Sequence, residues 1–135
     1  LFPYTPLFRS IDAPMMVVGT TRDHVSPWKS VYKIHLQTDT HVTFVLAAGG
    51  HNAGIVSEPG RPRRSYQIAS VEDGAGWIDP DDWAAQTPVV QGSWWEAMDQ
   101  WIKQRSGASI KAKPIKVEHV VCDARGEYVM VRYAD

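Results

Sequence analysis

The chain has 135 residues, 44% of them hydrophobic, and a formal net charge of −1 at pH 7. This length and apolar content suffice for one modest hydrophobic core. The near-neutral charge argues against a nucleic-acid partner, because phosphate binding leaves a basic surface. No apolar run approaches the ~18 residues that a membrane-spanning helix needs. The single cysteine provides no disulfide framework, which is typical of a cytoplasmic protein.

The first part of the chain predicts a strand, a polar turn and a helix. A short apolar run from Pro14 to Thr20 predicts the strand, and the turn after it contains Asp23. Ser26 and Pro27 are typical of a helix N-cap followed by proline at the first helical position. The residues after them repeat at helical spacing and form one apolar stripe, made of Trp28, Val31, Tyr32, His35 and Leu36.

A second apolar run, 41–47, predicts another strand and leads into a glycine-rich turn. Gly49, Gly50 and Gly54 suit a tight strand-to-helix corner with a close backbone approach. Strand–helix–strand units of this length form parallel pairs, and parallel strands place their carboxyl ends at one sheet edge.

Asp23 and His51 each follow one of these two strands, so we expect them at the same edge and within hydrogen-bond distance. A carboxylate bonded to one ring nitrogen of histidine leaves the other nitrogen free to act as a base. The alternative is that Asp23 only caps a turn and that His51 is an ordinary polar loop residue. None of the five histidines and the cysteine has spacing typical of a metal site.

The second half predicts an irregular segment followed by two helices. Residues 58–76 show little periodicity, and a short helix is predicted from Asp79 and Pro80. Ser93 and Glu96 form a capping-box pair, and Gly107 is placed to end the helix they begin. That helix carries an apolar stripe of Trp94, Trp95, Met98, Trp101 and Ile102. A stripe at helical spacing favours core packing over a polymer-binding surface.

The last part, 116–133, contains two alternating runs around a turn at 123–126, which predicts a C-terminal hairpin. Cys122 falls in the first run, where a buried structural thiol is expected.

Two motifs in this chain resemble the carboxyl-terminal part of poly(3-hydroxyalkanoate) synthases. The first joins Asp23 and His24 to Pro27 and Trp28, and the second is the Gly-His-x-Ala-Gly sequence at 50–54. Their spacing is that of the family. The resemblance continues through 92–95, 101–102 and 106–107, and ends in the run 123–129, which is similar to the family's closing segment. It covers 11–135, whereas 1–10 does not resemble the family, and we expect those ten residues to be non-native.

The resemblance implies the carboxyl-terminal portion of an α/β-hydrolase fold, an α/β architecture. Its last parallel strands would carry the Asp and His loops, followed by helices and the C-terminal hairpin. The family's nucleophile is a cysteine in a Gly-x-Cys-x-Gly turn that precedes the Asp, and this chain has no such turn. Cys122 follows both Asp23 and His51, the wrong side for the hydrolase order. We therefore expect this part of the enzyme to be inactive alone.

The resemblance also implies an acyltransferase that polymerises 3-hydroxyacyl-coenzyme A into polyhydroxyalkanoate and releases coenzyme A through a Cys-Asp-His triad. Asp23 and His51 would be catalytic, with His51 deprotonating the cysteine. Asp23 would either orient His51 or help to activate the acceptor hydroxyl. His24, Trp28 and Asn52 are candidate neighbours of the site. An esterase or polyhydroxyalkanoate depolymerase of the same fold, with water as the acceptor, is the alternative.

No cofactor is implied beyond the acyl-coenzyme A substrate. The implied partners are that substrate, the growing polyester and a second copy in a homodimer, with no nucleic acid, in the cytoplasm or on polyester granules. A basic cluster, Arg61, Arg63 and Arg64, stands in a proline-broken loop. Two interpretations are open: the cluster anchors the phosphates of the acyl-coenzyme A, or it is part of a solvated loop. The second is typical of charged loops.

Overall fold

The computed structural model describes residues 8–131. Its centre is a four-stranded sheet with the strands in chain order: β1 (Met15–Thr20), β2 (Val42–Ala47), β3 (Ser65–Val71) and β4 (Val89–Gln91). Four α-helices accompany it: α1 (Trp28–Tyr32), α2 (His51–Ile55), α3 (Pro80–Gln86) and α4 (Trp94–Gln104). The architecture is therefore α/β, as predicted. The predicted division into 1–10 and 11–135 stays a prediction, since 1–7 and 132–135 lie outside the described residues.

The predicted strand–helix–strand unit is present. β1 and β2 pair in parallel, in a register that runs from Met15 opposite Val42 to Thr20 opposite Ala47. All six residues of β2 are buried, because strands flank it on both sides and side chains cover both faces. α1 begins at Trp28, one residue later than predicted, with Pro27 in the N-cap position. It continues as a 3₁₀ turn, Lys33–Leu36.

The irregular segment predicted over 58–76 is wrong, because β3 lies within it. β3 pairs antiparallel with both β2 and β4, so the sheet is mixed. Polar residues weaken the apolar pattern of this strand, and two of them, Gln67 and Ser70, are satisfied by distant partners. The Gln67 amide donates to the Ala84 and Thr87 carbonyls at 2.7 and 2.6 Å, and the Ser70 and Thr43 hydroxyls lie 2.9 Å apart. Sequence periodicity does not reveal such contacts.

The predicted C-terminal hairpin is also wrong within the described residues. The segment after 116 forms two short 3₁₀ turns, Val117–His119 and Tyr128–Met130. Its apolar side chains are not buried by other parts of the described chain; Val121, for example, is 97% exposed. Alternation stabilises a strand only when one face is buried, and here that gain is missing. Cys122 is consequently exposed, not the buried structural thiol that we predicted.

Two small cores lie on opposite faces of the sheet, because successive side chains of β2 point to opposite faces. Phe44 and Leu46 pack with Tyr32 and Trp83 on one face. The second core comprises Val45, Ala47 and Trp94, with Trp95 and Met98 packed against it. Core packing of the α4 stripe is thus confirmed for Trp94, Trp95 and Met98, while Ile102 is 48% exposed.

Both predicted helix starts in the second half are confirmed. The Asp79 carboxylate accepts from the Asp81 N–H at 2.9 Å at the start of α3. The Ser93 hydroxyl accepts from the Trp95 N–H at 3.1 Å at the start of α4. α4 ends at Gln104, before the predicted Gly107. Within the described range, no helix combines the length and apolar character needed to cross a membrane.

Candidate active site

Asp23 and His51 meet at the carboxyl edge of the parallel strand pair. Asp23 lies in the turn after β1, and His51 is the first residue of α2, after β2. The His51 Nδ1 atom lies 2.8 Å from Asp23 Oδ2. The expected hydrogen bond between these two loops is therefore present.

Asp23 uses both carboxylate oxygens. Its Oδ1 accepts the Val25 and Ser26 N–H groups at 2.9 and 2.8 Å, while Oδ2 faces the His51 ring. The turn-capping role and the pairing with histidine therefore coexist. The Ser26 N–H lowers the pKa of Asp23 below its ordinary value against the opposing effect of burial, and the His51 ring and the Val25 N–H add to that lowering. The carboxylate is consequently ionised at neutral pH.

His51 presents its second ring nitrogen outward. An ionised carboxylate can only accept, so the contact with Asp23 places the ring proton on Nδ1 and leaves a lone pair on Nε2. The His51 side chain is 46% exposed, whereas that of Asp23 is 9% exposed. Nε2 has no hydrogen-bond partner among residues 8–131. This is the arrangement of a base held by a shielded acid.

Three hydrogen bonds extend the strand pairing into the two loops. The Thr21 N–H donates to the Ala47 carbonyl at 3.0 Å, and the Arg22 N–H to the Gly49 carbonyl at 2.8 Å. The Gly49 N–H in turn donates to the Thr21 hydroxyl at 3.2 Å. These bonds hold the exit of β1 against the exit of β2. The separation of Asp23 from His51 is thereby defined by the loops that carry them.

The glycine corner after β2 allows an unusually close approach. Gly49 has φ +143°, and a Cβ on it would lie 2.6 Å from the Gly54 Cα. A Cβ on Gly54 would lie 2.4 Å from the Thr20 Cγ2. Only glycine fits at either position without displacing backbone. The corner predicted from the glycine spacing is thus confirmed, and it sets α2 directly against the end of β1.

The three candidate neighbours, His24, Trp28 and Asn52, make no hydrogen bond to Asp23 or His51 within the described residues. Trp28 belongs to the core, where it packs over Gly19 and against Phe44. His24 and Asn52 are exposed, and neither side chain makes a hydrogen bond within the described part. Their roles at the site remain predictions.

Thr21 and the two N–H donors to Asp23 were not predicted from the sequence. The N–H donors had a local signal, since an aspartate that bonds the backbone two and three residues ahead is a common turn. Thr21 had none, because its partner Gly49 is distant in the chain. Among the described residues, no cluster of three or more His, Cys, Asp or Glu side chains could hold a metal ion.

Comparison with known proteins relates the chain to one kind of enzyme, although no family model matches it. It is 32% identical over 99 residues to the poly(3-hydroxyalkanoate) polymerase subunit PhaC of Cupriavidus necator, covering 73% of the chain and 16% of that protein. It is 31% identical over 133 residues to poly(3-hydroxyalkanoate) polymerase 2 of Ectopseudomonas oleovorans, covering 95% and 23%. It is 29% identical over 126 residues to the poly(3-hydroxyalkanoate) polymerase subunit PhaC of Rhizobium meliloti, covering 90% of the chain and 20% of that protein.

The chain thus spans less than a quarter of the length of the curated relatives that it matches. The names of these relatives agree with the family resemblance indicated by the Asp-His-x-x-Pro-Trp and Gly-His-x-Ala-Gly motifs at 23–28 and 50–54. The chain belongs to the poly(3-hydroxyalkanoate) polymerase family.

Proposed function

We propose that this chain is the carboxyl-terminal part of an acyltransferase that polymerises 3-hydroxyacyl groups from their coenzyme A thioesters. The observation that carries the proposal is the 2.8 Å contact between Asp23 and His51. An acid after one parallel strand and a histidine after the next is the carboxyl-terminal order of an α/β-hydrolase sheet. In that order the nucleophile comes earlier, so a cysteine outside this chain completes the triad.

His51 is the base of the proposed reaction. Its Nε2 takes the proton of the cysteine thiol, and the thiolate attacks the carbonyl of the substrate thioester. The bond between that carbonyl and the coenzyme A sulfur breaks, and the departing thiolate takes the proton from His51. For chain growth, His51 accepts the proton of a 3-hydroxyl group, whose oxygen attacks the enzyme-bound acyl thioester. The bond between the acyl carbon and the cysteine sulfur breaks, an ester forms, and the released cysteine thiolate takes the proton back from His51. Asp23 stays ionised and stabilises the imidazolium at each stage.

Cys122 is not the proposed nucleophile. It follows both Asp23 and His51 in the chain, and it is an exposed residue in a segment without strands. Coenzyme A release by the chain alone is therefore not expected. The whole enzyme is proposed to need no cofactor and to act as a homodimer in the cytoplasm or at polyester granules.

A chimera tests the proposal. The 99 matched residues of this chain replace the corresponding stretch of the Cupriavidus necator polymerase, and release of coenzyme A from 3-hydroxybutyryl-coenzyme A is followed. His51→Ala is expected to abolish release, because the cysteine loses its base. Asp23→Asn is expected to lower turnover by about 10⁴-fold, as the equivalent change does in a serine protease. His24→Ala serves as the matched control and keeps most of the activity.

The products separate the two candidate reactions. Polymer formation supports the synthase, whereas free 3-hydroxybutyrate in place of polymer supports the esterase alternative. Retention of near-normal activity by Asp23→Asn, together with its loss in His24→Ala, would show that the wrong residue of the Asp-His motif was chosen.

A further inference from the structure

We propose that the loop 58–64, called here the arginine loop, binds the phosphate groups of the coenzyme A thioester. This inference rests on the proposed function, because it assigns the part of the same substrate that lies far from the reacting sulfur. The arginine loop contains three guanidinium groups within four positions, in a chain whose net charge is −1.

The arginine loop lies at the same sheet edge as Asp23 and His51. It connects the end of α2 to the start of β3, and the Ala48 N–H donates to the Ser65 carbonyl at 2.9 Å just beyond the loop. Arg64 Nη2 donates to the Val56 carbonyl, directly after α2, at 3.2 Å. α2 has five residues and is therefore only about 7 Å long. The loop is thus tied to the helix that begins with His51.

Two of the three arginines have unused capacity to bind an anion. Arg63 is exposed and has no ion pair or hydrogen bond within 8–131. Its φ of +59° lies in the left-handed region, which is costly for a residue other than glycine and is often found at functional sites. The Nε of Arg64 is buried and also lacks an acceptor in the described part.

Glu58 is the competing anion of the loop. Its carboxylate lies 3.2 Å from Arg61 Nη1, and the two side chains are 51% and 45% exposed. The backbone N–H of Glu58 itself lowers the pKa of this carboxyl, and Arg61 and Arg64 lower it further against the effect of burial. Glu58 is therefore ionised, but an exposed ion pair of this kind is weak. A phosphate can displace the carboxylate from Arg61, and neutralising Glu58 should strengthen phosphate binding.

The chemistry of the substrate fits this placement. Coenzyme A carries its reacting sulfur at one end of a pantetheine arm and its diphosphate and 3′-phosphate at the other. With the thioester at His51, the phosphates must bind at a distance from it. Guanidinium groups form paired, charge-assisted hydrogen bonds with phosphate oxygens, which makes arginine well suited to this role.

The test measures binding by the chain itself, with coenzyme A and pantetheine as probes in isothermal titration calorimetry. Coenzyme A is expected to bind at least about tenfold more tightly than pantetheine. Arg63→Ala should weaken coenzyme A binding about tenfold, the effect of losing a hydrogen bond to a charged group, and leave pantetheine unchanged. Glu58→Gln should tighten coenzyme A binding. The matched control is Arg125→Ala, which removes an exposed arginine that also has positive φ, +67°.

Three results would overturn the proposal: equal affinity for coenzyme A and pantetheine, an Arg125→Ala loss as large as that of Arg63→Ala, or weaker binding in Glu58→Gln. Thermal unfolding of each variant checks folding, and Arg63→Gln provides a second loss of charge that keeps a long side chain. The acyl-transfer proposal fails separately. Arginine-dependent binding of coenzyme A by this chain, with a chimera that releases none, would reject the reaction and retain the binding site.

Discussion

A methyl group added at Gly54 should disrupt both the fold and the candidate active site. In Gly54→Ala the new Cβ would lie 2.4 Å from the Thr20 Cγ2 and 2.7 Å from the Thr20 Cβ. Thr20 is 1% exposed and held in β1, so it has no space into which to move. To reach ordinary contact near 3.4 Å, α2 would have to move away from β1 by about 1 Å.

The size of the effect follows from this overlap. Overpacking of a rigid contact costs about 1–3 kcal/mol of the free energy of unfolding. At about 4 °C per kcal/mol for a domain of this size, the melting temperature should fall by about 4–12 °C. Because α2 begins with His51, the same movement would lengthen the 2.8 Å contact with Asp23. The Nδ1–H form of the neutral His51 ring should therefore lose population.

Circular dichroism reports the thermal transition of the chain, and ¹⁵N chemical shifts of labelled histidine report the His51 tautomer. Gly107→Ala is the matched control, since nothing lies within 4 Å of its added Cβ. Adding Thr20→Ser to Gly54→Ala removes the nearest clashing atom and should restore part of both readouts. A Gly54→Ala chain with the melting temperature and tautomer of the original would refute the reasoning.

Two further predictions concern Thr21 and His35. Thr21→Val leaves the buried Gly49 N–H without its acceptor, so we expect the free energy of unfolding to fall by about 1–3 kcal/mol. The population of the Nδ1–H tautomer of His51 should fall as well. Thr21→Ser should restore both, and Thr87→Val, which loses a comparable bond elsewhere, should leave the tautomer unchanged. Burial lowers the pKa of His35 in the folded chain below its ordinary value of 6.5. The neutral, buried ring therefore contributes fully to stability above pH 6.5, and this contribution is lost as the pH falls through the lower pKa of the folded state. Urea unfolding at pH 7.5 and 5 should show this loss in the original chain and a smaller one in His35→Phe; equal losses would contradict the assignment.

Local features of the sequence determined several elements of the fold, among them those that carry the site. The apolar runs of β1 and β2, the helix starts at Asp79 and Ser93 and the glycines around His51 all act over a few residues. Such signals are readable because backbone conformation and capping depend on near neighbours. Together with the rule that parallel strands share an edge, they sufficed to predict the meeting of Asp23 and His51.

Other features depended on partners that are distant in the chain. β3 is a strand because Gln67 and Ser70 find hydrogen bonds on α3 and β2, although its pattern predicted irregular structure. Residues 116–131 alternate like a strand, yet no sheet in the described part covers them, and Cys122 is exposed. The bond between Thr21 and Gly49 likewise exists only once β1 and β2 have paired. Periodicity encodes which face of an element can be buried, but the contacts that bury it or satisfy its polar groups arise only when separate parts of the chain pack together.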